Sequence, residues 1–207
     1  MMKRRVKLAV NNPVWDQVVR RMLMRNMWQR LATDERLSVL EVGCGRGGTT
    51  ELLLDIMPNA FITATDVDDE QVLQAERRIS CPRVEFLVEH AAEMSFDDES
   101  FDAVAAFNTY HHVPNWTRAV AEAARVLKPG GRLYVTGITS RGLKFAPFRD
   151  FVSPKSLIDP ERLKAAAADR GLKTEHELGN DLYMRLVLRK VKADCSPLNV
   201  DTRRLIR

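Results

Sequence analysis

The chain has 207 residues, 45% hydrophobic and 29% charged, which is ordinary globular usage and excludes disorder, collagen and coiled coil. That length fits one domain with extended ends, and no apolar run approaches the roughly 20 residues of a membrane helix. The net charge of +4 is uneven: residues 1–36 carry nine Lys/Arg against three Asp/Glu, residues 189–207 six against two, and the stretch between is acidic. Basic ends of this size read first as a solvated face, with docking on nucleic acid, anionic lipid or an acidic partner as the functional alternative.

The opening MMKRRVKLAVNN lacks the apolar stretch of a signal peptide. Cys44, Cys81 and Cys195 are far apart and form no even framework. Both features lead us to expect thiols in a cytoplasmic protein. Residues 15–31 place Trp15, Val18, Val19, Met22, Leu23, Met27 and Leu31 at helical spacing, with arginines off the stripe. We therefore expect residues 1–36 to form a basic amphipathic segment.

A regular alternation follows. SVLEVG (38–43) reads as a strand, and a helix over 48–57 stops at Pro58. FITATD (61–66) is a strand, and a helix from Asp69 to Ile79 carries Asp68 and Gln71 as a capping box. VEFLVE (84–89) and DAVAAF (102–107) are further strands; Asn115 opens a helix through Leu127, closed by KPGG (128–131) before the strand RLYVTGI (132–138). A helix from Pro160 to Arg170 precedes LKTEHEL (172–178) and YMRLVLRKV (183–191), whose short link requires a hairpin. Continuous apolar strands alternating with helices predict an α/β, Rossmann-like, doubly wound sheet of seven strands, with helices on both faces and the last strand antiparallel. On this reading the domain spans 37–191, and 192–207 is a basic tail.

GCGRGG (43–48) follows the first strand and opens a helix, matching G-x-G-x-x-G through Gly43, Gly45 and Gly48, while Asp66 closes the second strand. Glycines let a backbone approach a ligand, and a carboxylate there accepts from ribose hydroxyls. The pattern alone does not separate a nicotinamide enzyme from any other protein that lays a ribosylated adenine across a sheet. Glu41, two residues before the first glycine, disfavours a pyrophosphate neighbour and suits an ammonium group.

VLEVGCGRGG (39–48), TATDVDDEQV (63–72), FDDESFDAV (96–104), YHHV (110–113) and RVLKPGGRL (125–133), in this order and spacing, resemble the class I S-adenosylmethionine-dependent methyltransferases, in particular the small type 11-like branch containing ubiquinone and menaquinone biosynthesis enzymes. The resemblance implies S-adenosylmethionine as cofactor and S-adenosylhomocysteine as product. It places Gly43 and Gly45 near the methionine part, Glu41 and Asn108 by its ammonium, Asp66 on the ribose, Val67 on the adenine face, and His90 and Ala91 at the adenine edge. Members of the family commonly carry Asp where His90 stands, and a neutral imidazole accepts one bond without charge.

His111 and His112 follow the fourth strand, and a neutral His can take a proton from an acceptor as the methyl arrives. Tyr110 and Trp28, with Arg141, Lys144 and Arg149 from the long segment 139–159, are candidate acceptor contacts, and that segment together with the N-terminal amphipathic helix of residues 1–36 is the candidate lid. FNTYHH (107–112) is not the Asn/Asp-Pro-Pro-aromatic signature of adenine or glutamine nitrogen methylation, no Pro-Cys follows the strand, and no acidic metal cluster stands out. The expected enzyme moves the sulfonium methyl to a small-molecule O, N or C acceptor by in-line displacement. An RNA or protein methyltransferase using the basic termini, a non-catalytic cofactor-binding module and a nicotinamide dehydrogenase remain open.

Overall fold

The computed structural model describes residues 32–145 and 158–191. The expected N-terminal helix, most of the 139–159 segment and the tail 192–207 lie outside the described residues. The elements are β1 (Ser38–Val42), α1 (Gly48–Ile56), β2 (Phe61–Asp66), α2 (Asp69–Arg78), β3 (Val84–Val88), β4 (Phe101–Phe107), a 3₁₀ turn (Tyr110–His112), α3 (Trp116–Val126), β5 (Leu127–Ile138), α4 (Ser140–Phe145), α5 (Pro160–Ala168), β6 (Leu172–Glu177) and β7 (Tyr183–Lys190). The sheet order is β3-β2-β1-β4-β5-β7-β6. Neighbouring strands pair parallel from β3 to β5, and β7 runs antiparallel to both β5 and β6. The order reverses between β1 and β4, which opens the crevice where doubly wound sheets hold ligands.

Alternation along the strands divides the core in two. Leu40, Val104, Val135 and Leu186 pack in one cluster with Ala119, Val120 and Ala123 of α3 and Leu163 of α5. Val39, Ala103, Ala105, Tyr134 and Val187 face the other way, against Leu53, Ile56 and Met57 at the end of α1. Sheet residues with helices on each side lose water completely: Val39, Leu40, Val104 and Val135 are 0% exposed. Each such side chain contributes about 1.5–3 kcal/mol of burial.

Helix limits follow their caps. Asp68 accepts the Gln71 N–H at the start of α2, and Asp159 accepts those of Glu161 and Arg162 at the start of α5, with Pro160 in the first turn. One expected boundary moves. KPGG does not form a link outside the sheet, because the chain becomes extended at Leu127 and β5 runs on to Ile138, with a bulge opposite Phe101 and Ala103. Asp102 stabilises that junction: its carboxylate accepts the Ser38 N–H at 2.9 Å and the Lys128 ammonium at 2.9 Å. The acidic turn before β4 is also tied down, Asp98 to Arg125 and Glu99 to Lys190. No helix among the described residues is long and apolar enough to cross a membrane.

Candidate functional site

The site lies at the carboxyl ends of β1, β2 and β4. The glycine turn after β1 is pinned by its own backbone, since the N–H groups of Gly43 and Cys44 both donate to the Thr65 carbonyl, at 2.7 and 2.8 Å. Gly43 is required by a close approach: a Cβ there would lie 2.4 Å from Thr109 Oγ1, whose hydroxyl donates to the Val42 carbonyl at 2.8 Å. The third constrained glycine is Gly47 rather than Gly48. Gly47 sits before α1 at φ 80°, and a Cβ would meet Ile79 at 2.7 Å. Literal motif matching misses this; the only sequence signal is the Gly-Gly pair, which leaves either residue free to take the left-handed position.

Asp66 closes the site at β2. Its Oδ2 accepts the Gly45 N–H and its Oδ1 the Asp68 N–H, each at 3.0 Å. Burial pushes this carboxyl up, and the backbone donors pull against that. A carboxylate offers about four lone-pair positions, and the backbone of Gly45, Asp68 and Val67 draws on them, so some acceptor capacity remains for an outside donor. Val67 beside it is 55% exposed, an apolar surface facing out of the core.

Glu41 lies beneath the turn and is 1% exposed. Its oxygens accept from the Thr49 hydroxyl and, at 2.6 Å, from the Thr50 hydroxyl, both in the first turn of α1. Desolvation nevertheless raises its pKa to about 7, helped by the nearby Asp66 charge. The two threonines after the glycine run are the signal that this buried acid has partners. The buried Cys44 thiol is pushed far up by desolvation and by the same two carboxyls, so it is no nucleophile.

At β4, Asn108 adopts φ 54°, a left-handed conformation that Asn tolerates well. Its N–H donates to the Thr136 carbonyl at 2.9 Å, and its Oδ1 accepts from the Tyr183 hydroxyl at 3.0 Å. Its Nδ2 is buried with no partner among the described residues. Sequence reasoning missed Tyr183, which no local pattern connects to Asn108.

The 3₁₀ turn carries the histidine pair. His111 is buried, His112 half-buried, and their rings lie 4.1 Å apart. Burial lowers the pKa of His112 to about 4, and burial, then the neighbouring His112, holds that of His111 well below the ordinary imidazole value. Both are neutral imidazoles at pH 7. Tyr110, expected at the acceptor, is 1% exposed and packs in the α3/α5 core, with burial raising its phenol.

His90 is exposed, and its Nδ1 accepts the Ala92 N–H at 3.2 Å. That tautomer puts the ring proton on Nε2, so the free nitrogen is a donor. Ala91 lies in the same turn, half-buried. Arg141 is exposed and ion-paired with Asp181 in the β6–β7 link. Trp28, Arg149 and the side chain of Lys144 lie outside the described residues.

The arrangement fits S-adenosylmethionine. Asp66 keeps acceptor capacity for the ribose, Val67 an apolar surface for the base, and Asn108 an unpartnered buried donor on the segment that abuts Gly43.

The chain is also similar to known methyltransferases. Residues 40–135 match the family model described as a methyltransferase domain. A phthiotriol/phenolphthiotriol dimycocerosates methyltransferase of Mycobacterium ulcerans is 38% identical over 116 residues, 55% of this chain and 43% of the relative. A fatty-acid O-methyltransferase of Mycolicibacterium smegmatis is 35% identical over 103 residues, 50% of this chain and 38% of the relative. The match thus spans less than half the length of these curated relatives. An S-adenosylmethionine-dependent methyltransferase structure from Aquifex aeolicus superposes with TM-score 0.73 at 16% identity, covering 92% of this chain and all of that one. One from Mesorhizobium loti gives 0.67 at 12% identity, covering 80% and 97%. Residues 40–135 thus match a methyltransferase domain, and the fold is the one seen in these S-adenosylmethionine-dependent methyltransferase structures.

Proposed function

We propose that this chain moves the methyl group of S-adenosylmethionine to an oxygen of a small, lipid-like acceptor. The observation that carries the cofactor half is the glycine turn hydrogen-bonded to Asp66, with lone pairs left on that carboxylate. The acceptor half is supported by the names of two relatives, one acting on dimycocerosates and one on fatty acids. The free thiols of Cys44 and Cys81 suit a reducing compartment, and we assign the reaction to the cytoplasm.

When bound, S-adenosylmethionine supplies a methyl group already electrophilic on its sulfonium. The protein's work is therefore alignment and water exclusion. Asp66 accepts from the ribose hydroxyls, and Val67 lies on the adenine. Ala91 and His90 meet the adenine edge, with His90 as a donor through Nε2. Gly43 and Gly45 keep the backbone close to the amino-acid end, and the Glu41 carboxyl, which burial leaves divided between neutral and charged forms near pH 7, lies beneath the turn. His111 or His112, neutral at pH 7, takes the proton that the acceptor hydroxyl releases. Tyr110 holds that turn in the core. Arg141, exposed and paired with Asp181, is the one candidate acceptor contact of 139–159 whose side chain lies among the described residues.

The test is calorimetric titration of the full chain with S-adenosylmethionine, S-adenosylhomocysteine and NADH. Methyl transfer from labelled cofactor to a panel of fatty acids, phenolic lipids and RNA follows. Micromolar binding of the sulfur compounds alone, with lipid methylation, supports the reading. Binding without turnover on any acceptor favours a non-catalytic module, and methylation of RNA that falls steeply with salt favours the nucleic-acid alternative.

A further inference from the structure

Strand β7 is the one reversed strand of the sheet, and its direction brings its first residue, Tyr183, beside Ile138 at the carboxyl end of β5. That is the edge where the site lies. The start of β7 is rigidly held. Asn180 Oδ1 accepts the N–H groups of Leu182 and Tyr183, at 3.0 and 2.9 Å. The Arg185 guanidinium lies 5.2 Å over the Tyr183 ring and donates to the Leu178 carbonyl at 3.2 Å. The phenol itself is 6% exposed, so its hydroxyl needs partners, and it donates to Asn108 with the Thr136 hydroxyl also beside it.

Asn108 is thereby fixed at three points: its left-handed backbone, its N–H on Thr136 and its side-chain carbonyl under Tyr183. What remains is Nδ2, a buried donor pair with no partner among the described residues. Buried amide donors are costly to leave unpaired, so an acceptor atom belongs there. The following residue, Thr109, abuts Gly43, which puts the amide on the segment beside the glycine turn. A donor cannot serve an ammonium group. It can serve a carboxylate, and the amino-acid end of the cofactor carries both.

We propose that Tyr183 is a positioning residue that fixes the Asn108 amide with its nitrogen toward the carboxylate of the cofactor's amino-acid end. The proposal rests on the cofactor reading given above. It reverses the polarity expected for Asn108, from acceptor beside the ammonium to donor beside the carboxylate. Tyr183 acts through Asn108 and touches no ligand itself.

The experiment is calorimetric titration of the full chain and of Tyr183→Phe with four probes. These are S-adenosylhomocysteine, its decarboxylated analogue, its deaminated analogue and 5′-methylthioadenosine, which lacks both charged groups. The native chain should prefer S-adenosylhomocysteine over the decarboxylated analogue by about tenfold, as for a hydrogen bond to a charged group. Tyr183→Phe should weaken S-adenosylhomocysteine and the deaminated analogue about three- to tenfold, leaving the two ligands without a carboxylate within about twofold. Asn108→Asp, which still accepts from Tyr183 but repels a carboxylate, should invert the preference between the carboxylated and decarboxylated ligands.

Equal weakening of all four probes in Tyr183→Phe would mean a merely structural role and overturns the proposal. So would no change, or a loss confined to the ligands that carry the ammonium, which would mean the opposite amide orientation. If the native chain binds none of the four, 5′-methylthioadenosine included, it is the cofactor reading that fails.

Discussion

Asp66 Oδ2 accepts the Gly45 N–H at 3.0 Å, so the residue expected to hold the ribose also holds the glycine turn. Binding and local structure are therefore coupled at one carboxylate. Asp66→Asn keeps one acceptor oxygen but loses the charge, and Asp66→Ala loses both. Titration with S-adenosylhomocysteine should show a loss of about tenfold for Asn and at least about a hundredfold for Ala, from charge-assisted bonds of about 1.5–3 kcal/mol each. Equal, small losses in both variants would show that the ribose lies elsewhere.

Glu41 gives a pH signature. Its pKa is about 7 in the fold against the ordinary 4.5, because burial outweighs the two threonine hydroxyls. The folded state therefore binds the proton more tightly than the unfolded chain. Stability is fully present below about pH 4.5 and is lost as pH rises to about 7, by up to about 3 kcal/mol. Glu41→Gln removes that charge while keeping both hydrogen-bond partners within reach. Denaturant melts at pH 5 and pH 8 should converge in the variant relative to the native chain, and parallel pH slopes would contradict the assignment.

Gly47 gives a packing signature. Ala there would have to hold φ 80° and place its Cβ 2.7 Å from Ile79 Cδ1. The backbone penalty of about 1–2 kcal/mol adds to the displacement of Ile79. Gly47→Ala should therefore lower stability by about 2 kcal/mol or more in urea melts, whereas Gly48→Ala, inside α1, should cost nothing or stabilise slightly. The reverse ranking would restore the literal motif, in which Gly48 is the essential glycine.

Much of this was readable in the chain because the signals are local. Continuous apolar strands, the Asp68 cap, Pro160 and the short 179–181 link each set a nearby backbone, and all sit where expected. What escaped is what depends on distant partners. KPGG joins β5 because Asp102 and the bulge opposite Phe101 draw it in. Gly47 is singled out by Ile79 at the far end of α2, and Tyr183 meets Asn108 across 75 residues only because β7 reverses. Composition and spacing carry no trace of such contacts.

His90 tests the adenine edge. Its Nδ1 is engaged by the Ala92 N–H, so Nε2 can only donate. The adenine amino group is itself a donor and gains nothing from it. His90→Asp would supply a charged acceptor with an oxygen to spare for Ala92. Affinity for S-adenosylhomocysteine should rise about three- to tenfold, with a smaller gain for the inosine analogue, which has no amino group. An equal gain for both nucleosides would point to general electrostatics instead.

The histidine pair supplies the last prediction, because its stability and activity effects separate. Both imidazoles have pKa values below the ordinary 6.5, His112 at about 4, since burial disfavours their charged forms. The unfolded chain therefore binds protons that the folded one refuses, and stability falls as pH drops from 6.5 toward 4. This opposes the Glu41 effect over the lower part of its range. His112→Asn should flatten the acid limb by up to about 3 kcal/mol. If His112 is also the base, methyl transfer by the native chain stays level from pH 8 down to about pH 5 and declines below it, while the variant loses about a hundredfold at every pH. His111→Asn, read in the same two assays, decides between the rings. A rate lost in His111→Asn but kept in His112→Asn moves the base to the buried imidazole, and a rate kept in both leaves the transfer to alignment alone.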